Sequence, residues 1–104
     1  MRILKFQVET QQINKAPGCD FTGIVSGTEG YLLAQFDFTS EWNGCKKAAA
    51  FYSLGKEYGA AIVNGVCEIP AEALLWTEFE VSVVGIKEGY RITTNKCKVT
   101  QERG

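Results

Sequence analysis

Residues 2 to 9 alternate in polarity, with Leu4, Phe6 and Val8 on one side and Lys5, Gln7 and Glu9 on the other. That period of two belongs to a strand with one buried face. The pattern returns over Tyr31 to Phe38, where Leu32, Ala34, Phe36 and Phe38 oppose Gln35 and Asp37. It returns again over Glu78 to Lys87, where Phe79, Val81 and Val83 oppose Glu80 and Ser82. Shorter apolar runs at Cys19 to Val25, Lys46 to Leu54, Tyr58 to Val63, Val66 to Ile69 and Tyr90 to Thr100 complete the strand map. Gln11 to Gly18, Ser26 to Gly30, Thr39 to Gly44, Gly55 to Glu57 and Glu88-Gly89 supply the turns. Asn64-Gly65 predicts a tight hairpin, because both residues tolerate positive φ. Val83-Val84-Gly85 predicts a bulge, since glycine inside a strand often marks one. Pro70 ahead of Ala71, Glu72, Ala73 and Leu74 predicts one short helical turn near residues 70–75.

Seven or eight short strands with turn signals about every ten residues predict an all-β fold. The expected architecture is an antiparallel β-sandwich, immunoglobulin-like, with residues 1–104 forming a single domain. Trp42 falls in a turn, and no cysteine pair brackets it at strand positions as in antibody domains.

Composition changes the picture mainly by narrowing the chemistry. Eleven Lys and Arg against twelve Asp and Glu leave a formal charge of −1, too little field to hold a polyanion, so no nucleic-acid partner is expected. The chain has no histidine, which removes the commonest general base and the commonest metal ligand together. Cys19, Cys45, Cys67 and Cys97 form no C-x-x-C knuckle, so no metal site is expected, and the thiols read as small buried hydrophobes of a reducing compartment. Cys45 alone has adjacent lysines, Lys46 and Lys47. The carboxylate pairs Asp37 with Glu41 and Glu78 with Glu80 read as solvated faces, and the Gly55-Lys56 pair lacks the rest of a phosphate-cradling loop. No catalytic residue, no cofactor and no enzymatic activity are expected. The N-terminal residues carry interspersed charge and no apolar run of signal length, and no stretch approaches the roughly 20 apolar residues of a membrane span. Synthesis in the cytoplasm with no membrane partner is the expectation.

Aromatic residues at predicted turns and strand ends are the remaining candidates. Tyr31, Trp42, Tyr58, Trp76 and Tyr90 form the candidate interface set, with Tyr52 nearby in kind. Such rings either cap the open ends of a sandwich or anchor a protein or sugar contact.

The segment Phe36-Asp37-Phe38-Thr39-Ser40-Glu41-Trp42-Asn43-Gly44-Cys45-Lys46-Lys47-Ala48-Ala49-Ala50-Phe51 combines a phenylalanine-rich strand, a Ser-Glu-Trp-Asx-Gly turn and a Lys-x-Ala-x-Phe strand. With Val63 to Pro70, Phe79 to Gly85 and Arg91 to Asn95, it resembles small β-sandwich modules of bacteriophages of Gram-positive hosts. Those modules are similar to the N-terminal docking domains of baseplate and tail-fibre proteins; the resemblance runs from about Tyr31 to the C-terminus. It implies a non-enzymatic structural or assembly protein of the virion, tail, baseplate or head decoration. The implied partners are further copies of the chain, as a homo-oligomer, or another phage structural protein, and the implied location is the host cytoplasm and then the virion. Two alternatives use the same aromatic residues: an intracellular phage inhibitor of a host or defence protein, and a carbohydrate-binding module.

Overall fold

A computed structural model describes all of residues 1–104. Nine strands build two packed sheets. The first sheet has the order β2-β1-β3-β6, from β1 (Arg2–Glu9), β2 (Gln12–Lys15), β3 (Leu32–Phe38) and β6 (Val66–Glu68). The second has the order β5-β4-β7-β8, from β4 (Lys46–Ser53), β5 (Lys56–Ile62), β7 (Glu78–Lys87) and β8 (Tyr90–Thr93), with β9 (Cys97–Thr100) also paired to β7. The alternating residues of the sequence supply the layer between them. Leu4, Phe6, Val8 and Phe36 face Phe51, Phe79, Val81 and Val83, all buried. Phe6 stacks on Phe36 at 5.5 Å between ring centroids.

The all-β sandwich holds, with several corrections in detail. There are nine strands, and β1 runs parallel to β3 in an otherwise antiparallel set. A parallel neighbour needs a crossover, and residues 16 to 31 provide it. Cys19 to Val25 is therefore irregular, making only an isolated bridge from Val25 to Glu102. Gly23 and Gly27 take left-handed φ there, and Asp20 closes a local turn on the Thr22 amide and hydroxyl, which hold its carboxyl below the usual range. Arg2 donates to the carbonyls of Asp20 and Thr22, and Ile24 is buried. Gln12 to Lys15 lies in the polar segment read as a turn, yet forms β2 because Thr10 turns the chain at φ 52° and Ile13 enters the core.

The Asn64-Gly65 turn forms as expected, with reciprocal bonds between Val63 and Val66. Its two strands then part company, β5 joining the second sheet and β6 the first. It is a corner between layers. The helical turn is a 3-10 turn at Ala71–Leu74, and a second occupies Ser40–Trp42. The last strand is split at Thr94 to Lys96. There the Thr94 hydroxyl accepts from the Val83 amide at 2.9 Å, and Asn95 Oδ1 crosses to accept from the Ile13 amide at 2.9 Å.

No bulge interrupts β7. Its pairing with β4 and β8 passes unbroken through Gly85, opposite Lys47 on one side and Ile92 on the other. Glycine is required there by close approach, because a Cβ would lie 2.8 Å from Trp42 Cε3. Gly85→Ala should therefore destabilise by about 1–3 kcal/mol through overpacking, lowering Tm by roughly 5–15 °C. In a Trp42→Leu background the same change should be much milder, so a double-mutant cycle followed by thermal unfolding checks the pair.

Candidate functional site

The five aromatic candidates do not converge. Trp42 is fully buried, packed on Phe38 at 5.2 Å with its indole N–H donating to the Thr10 carbonyl at 2.8 Å. It leaves the interface set and becomes a core residue. Tyr58 lies on the inner side of β5, half-buried against the core. Tyr90 donates to the Glu41 carbonyl at 3.0 Å, with Lys87 Nζ 4.7 Å over its ring, so it pins the Ser40–Trp42 turn. Tyr31 is exposed just before β3, at the end of the crossover. Trp76 is exposed just before β7, whereas Tyr90 follows that strand. Ten residues of β7 separate those two by roughly 30 Å, so they share no platform.

What gathers around Trp76 is a cleft of about 490 Å³ at one end of the second sheet. One wall is the β4–β5 turn, Leu54-Gly55, and the other the loop entering β7. Tyr52 and Lys96 line it, the Lys96 ammonium 4.0 Å over the Tyr52 ring. Glu57, Glu78, Glu80 and Lys56 add charge of both signs at the rim, and Glu78 pairs with Lys98 at 3.3 Å. Gln101 braces the loop from inside, its side-chain amide donating to the Trp76 carbonyl at 2.7 Å. Ser53 Oγ lies buried in the same region with no partner.

Leu54 is the residue that sequence reading missed. The β4–β5 turn has φ of 52° at Leu54 and 77° at Gly55; the β5–β6 turn has 53° at Asn64 and 77° at Gly65. The geometry is the same, and asparagine is suited to it while leucine is strained. Leu54 is nevertheless 69% exposed, beside Trp76 at 44% and adjoining Leu75 at 64%. The signal available in the sequence was a leucine before a glycine in a two-residue turn between strands.

No three metal-ligating side chains come together, and no helix is long and apolar enough to cross a membrane. All four cysteines are free thiols, with Cys45 and Cys67 buried and Cys19 and Cys97 half-buried. Burial pushes the Cys67 thiol up to about 12 and raises that of Cys97. No family model and no curated protein matches the chain.

The Cys67 shift sets a pH dependence. The folded state keeps the proton where the unfolded thiol, titrating near 9, gives it up. This contribution is complete below pH 9 and is lost as pH rises toward 12. Chemical denaturation should show wild type losing up to about 1.4 kcal/mol per pH unit in that window relative to Cys67→Ala, whose lower overall stability should lack this slope.

Proposed function

We propose that this chain is a non-enzymatic structural or assembly component of a bacteriophage particle, acting by protein–protein contact through the Leu54–Trp76 end of its second sheet. The observation that carries the reading is Leu54 itself. A bulky apolar residue held in a left-handed turn and presented to water weakens the fold twice, by backbone strain and by unburied surface. The β5–β6 turn demonstrates that the backbone does not need leucine for this geometry. Partner contact accounts for its presence: exposed apolar anchors framed by charged residues suit a desolvated contact centre with a polar rim. The virion setting comes from the resemblance of Phe36 to Phe51 to phage sandwich modules, with the loop-borne contact taking the place of a catalytic site.

Leu54→Asn separates the two effects. It should raise stability by about 1 kcal/mol, seen as a Tm increase of roughly 4–8 °C, while reducing recovery of the protein with purified particles. Trp76→Ala should reduce recovery likewise. If the protein is absent from particles and instead captures one host protein at equal stoichiometry, the intracellular inhibitor reading replaces this one. If both variants are recovered with particles as wild type is, the Leu54–Trp76 end is not the contact.

A further inference from the structure

We infer that the outer face of the second sheet is a self-association surface, on which a second copy of the chain docks face to face about a two-fold axis perpendicular to the strands. This goes beyond the Leu54–Trp76 contact: it shares Tyr52 and the charged rim of that cleft, and its central rows and basic end are its own. Burial fixes which side chains point outward. Ala49, Phe51 and Ser53 of β4 and Phe79, Val81 and Val83 of β7 are buried, so their alternates face away from the core. The register then arranges the outward residues in rows across the strands. One row is Gly59, Ala50 and Ser82; the next is Ala61, Ala48, Val84 and Thr93. These two central rows hold no charge and nothing longer than valine. Tyr52 lies along the same face, its hydroxyl 2.9 Å from Ser82 Oγ.

The charges sit at the two ends of this smooth centre, and they differ in sign. At the β4–β5 turn end, Glu57 and Glu80 share a row with Tyr52 and Lys98, and Glu78 lies one step beyond. Lys98 is paired with Glu78, and Lys96 is held over Tyr52, so the three carboxylates and two ammonium groups on the outward side leave a net −1, with Lys56 opposite the inward Ser53. At the other end the row is Lys46, Ile86 and Arg91, net +2, or +1 with Glu88 in the turn just beyond, and Ile86 is 48% exposed between the two cations.

This polarity selects the occupant. A two-fold axis perpendicular to the strands lays each strand antiparallel over its own copy, so the central rows meet and the acidic end of one copy covers the basic end of the other. Gly59, Ala50 and Ser82 fall over Ala61, Ala48 and Val84. Glu80 falls over Ile86, between Lys46 and Arg91, while Lys98 reaches Arg91 already paired with Glu78, and the same contacts repeat by symmetry. A two-fold axis along the strands would instead stack acidic end on acidic end. Short side chains let the sheets approach closer than the usual spacing of about 10 Å. Four strands by seven residues give about 450 Å² per copy, at the low end for specific association, so the dimer should dissociate in the micromolar range.

Sedimentation velocity over a concentration series reads this directly. Wild type should pass from monomer to dimer, and Ala50→Arg should stay monomeric with its circular dichroism and Tm preserved. Glu80→Lys and Lys46→Glu should each weaken self-association by about tenfold or more. An equimolar mixture of those two variants should restore the dimer, because in the mixed pair one Glu80 to Lys46 contact keeps its native signs and the other is rebuilt with its signs exchanged. A wild type that stays monomeric up to about 300 µM, or a dimer indifferent to Ala50→Arg, overturns the inference. A mixture no stronger than its components overturns the two-fold arrangement. Leu54→Asn should leave the dimer intact, so loss of particle recovery and loss of dimerisation are separate failures.

Discussion

The Trp42 indole wedged against Gly85 is the contact on which one whole end of the sandwich depends. It is a polar and an apolar closure at once. The ring fills the space that a β-carbon on Gly85 would occupy, and its N–H satisfies the Thr10 carbonyl at the β1–β2 turn. The β1–β2 turn is further tied to the segment before Trp42, since the Thr10 amide donates to Thr39 Oγ1 at 3.0 Å. Two segments remote in sequence, the β1–β2 turn and Thr39 to Trp42, are thereby locked to β7. Leaving the indole N–H of the fully buried Trp42 unpaired would incur the desolvation penalty of a buried polar group, so the wedge and the hydrogen bond reinforce one another.

An unbroken β7 follows from this wedge, and so does the regularity of the outer face. A bulge at Gly85 would have exchanged inward and outward residues beyond it. Because the approach of Trp42 is accommodated by the bare glycine, Val84 and Ile86 keep the outward parity of Glu80 and Ser82. The two ends of the second sheet consequently differ in kind. The Trp42 end hides its aromatic ring and pins Tyr90 to the Glu41 carbonyl. The opposite end displays Trp76 and Leu54 around an open cleft.

Much of the framework was legible because it obeys one local rule. β1, β3 and β7 are long, half-buried and strictly alternating, and burial follows that alternation. What escaped was decided by distant partners. β2 contributes a single core residue, Ile13, which no periodicity can register. Asn64-Gly65 reported its own backbone correctly but could not report that β5 and β6 belong to different sheets. Trp42 beside a glycine turn could be folded inward or displayed; the deciding residue, Gly85, is a strand and a sheet away. The candidate site was obscured for the opposite reason. Trp76 stood out as an aromatic, whereas Leu54 looks ordinary until its φ and its exposure are seen together.

The second sheet gathers both exposed features of the chain on one element pair. β4 and β7 carry the core on their inner residues, the small uncharged rows on their outer ones, and the cleft at one shared end. The two surfaces ask for different things. The cleft end combines a strained leucine with an exposed tryptophan, features that burial in the proposed partner would stabilise. The face has little apolar bulk to bury and relies on flatness and end-to-end charge polarity, which favour a like copy and fix its direction. Because the strain lies in a turn and the small uncharged rows in the strands, the proposed partner contact and self-association meet only at the charged rim they share, so that Leu54 and Ala50 can vary one without the other while the core between the sheets stays unchanged.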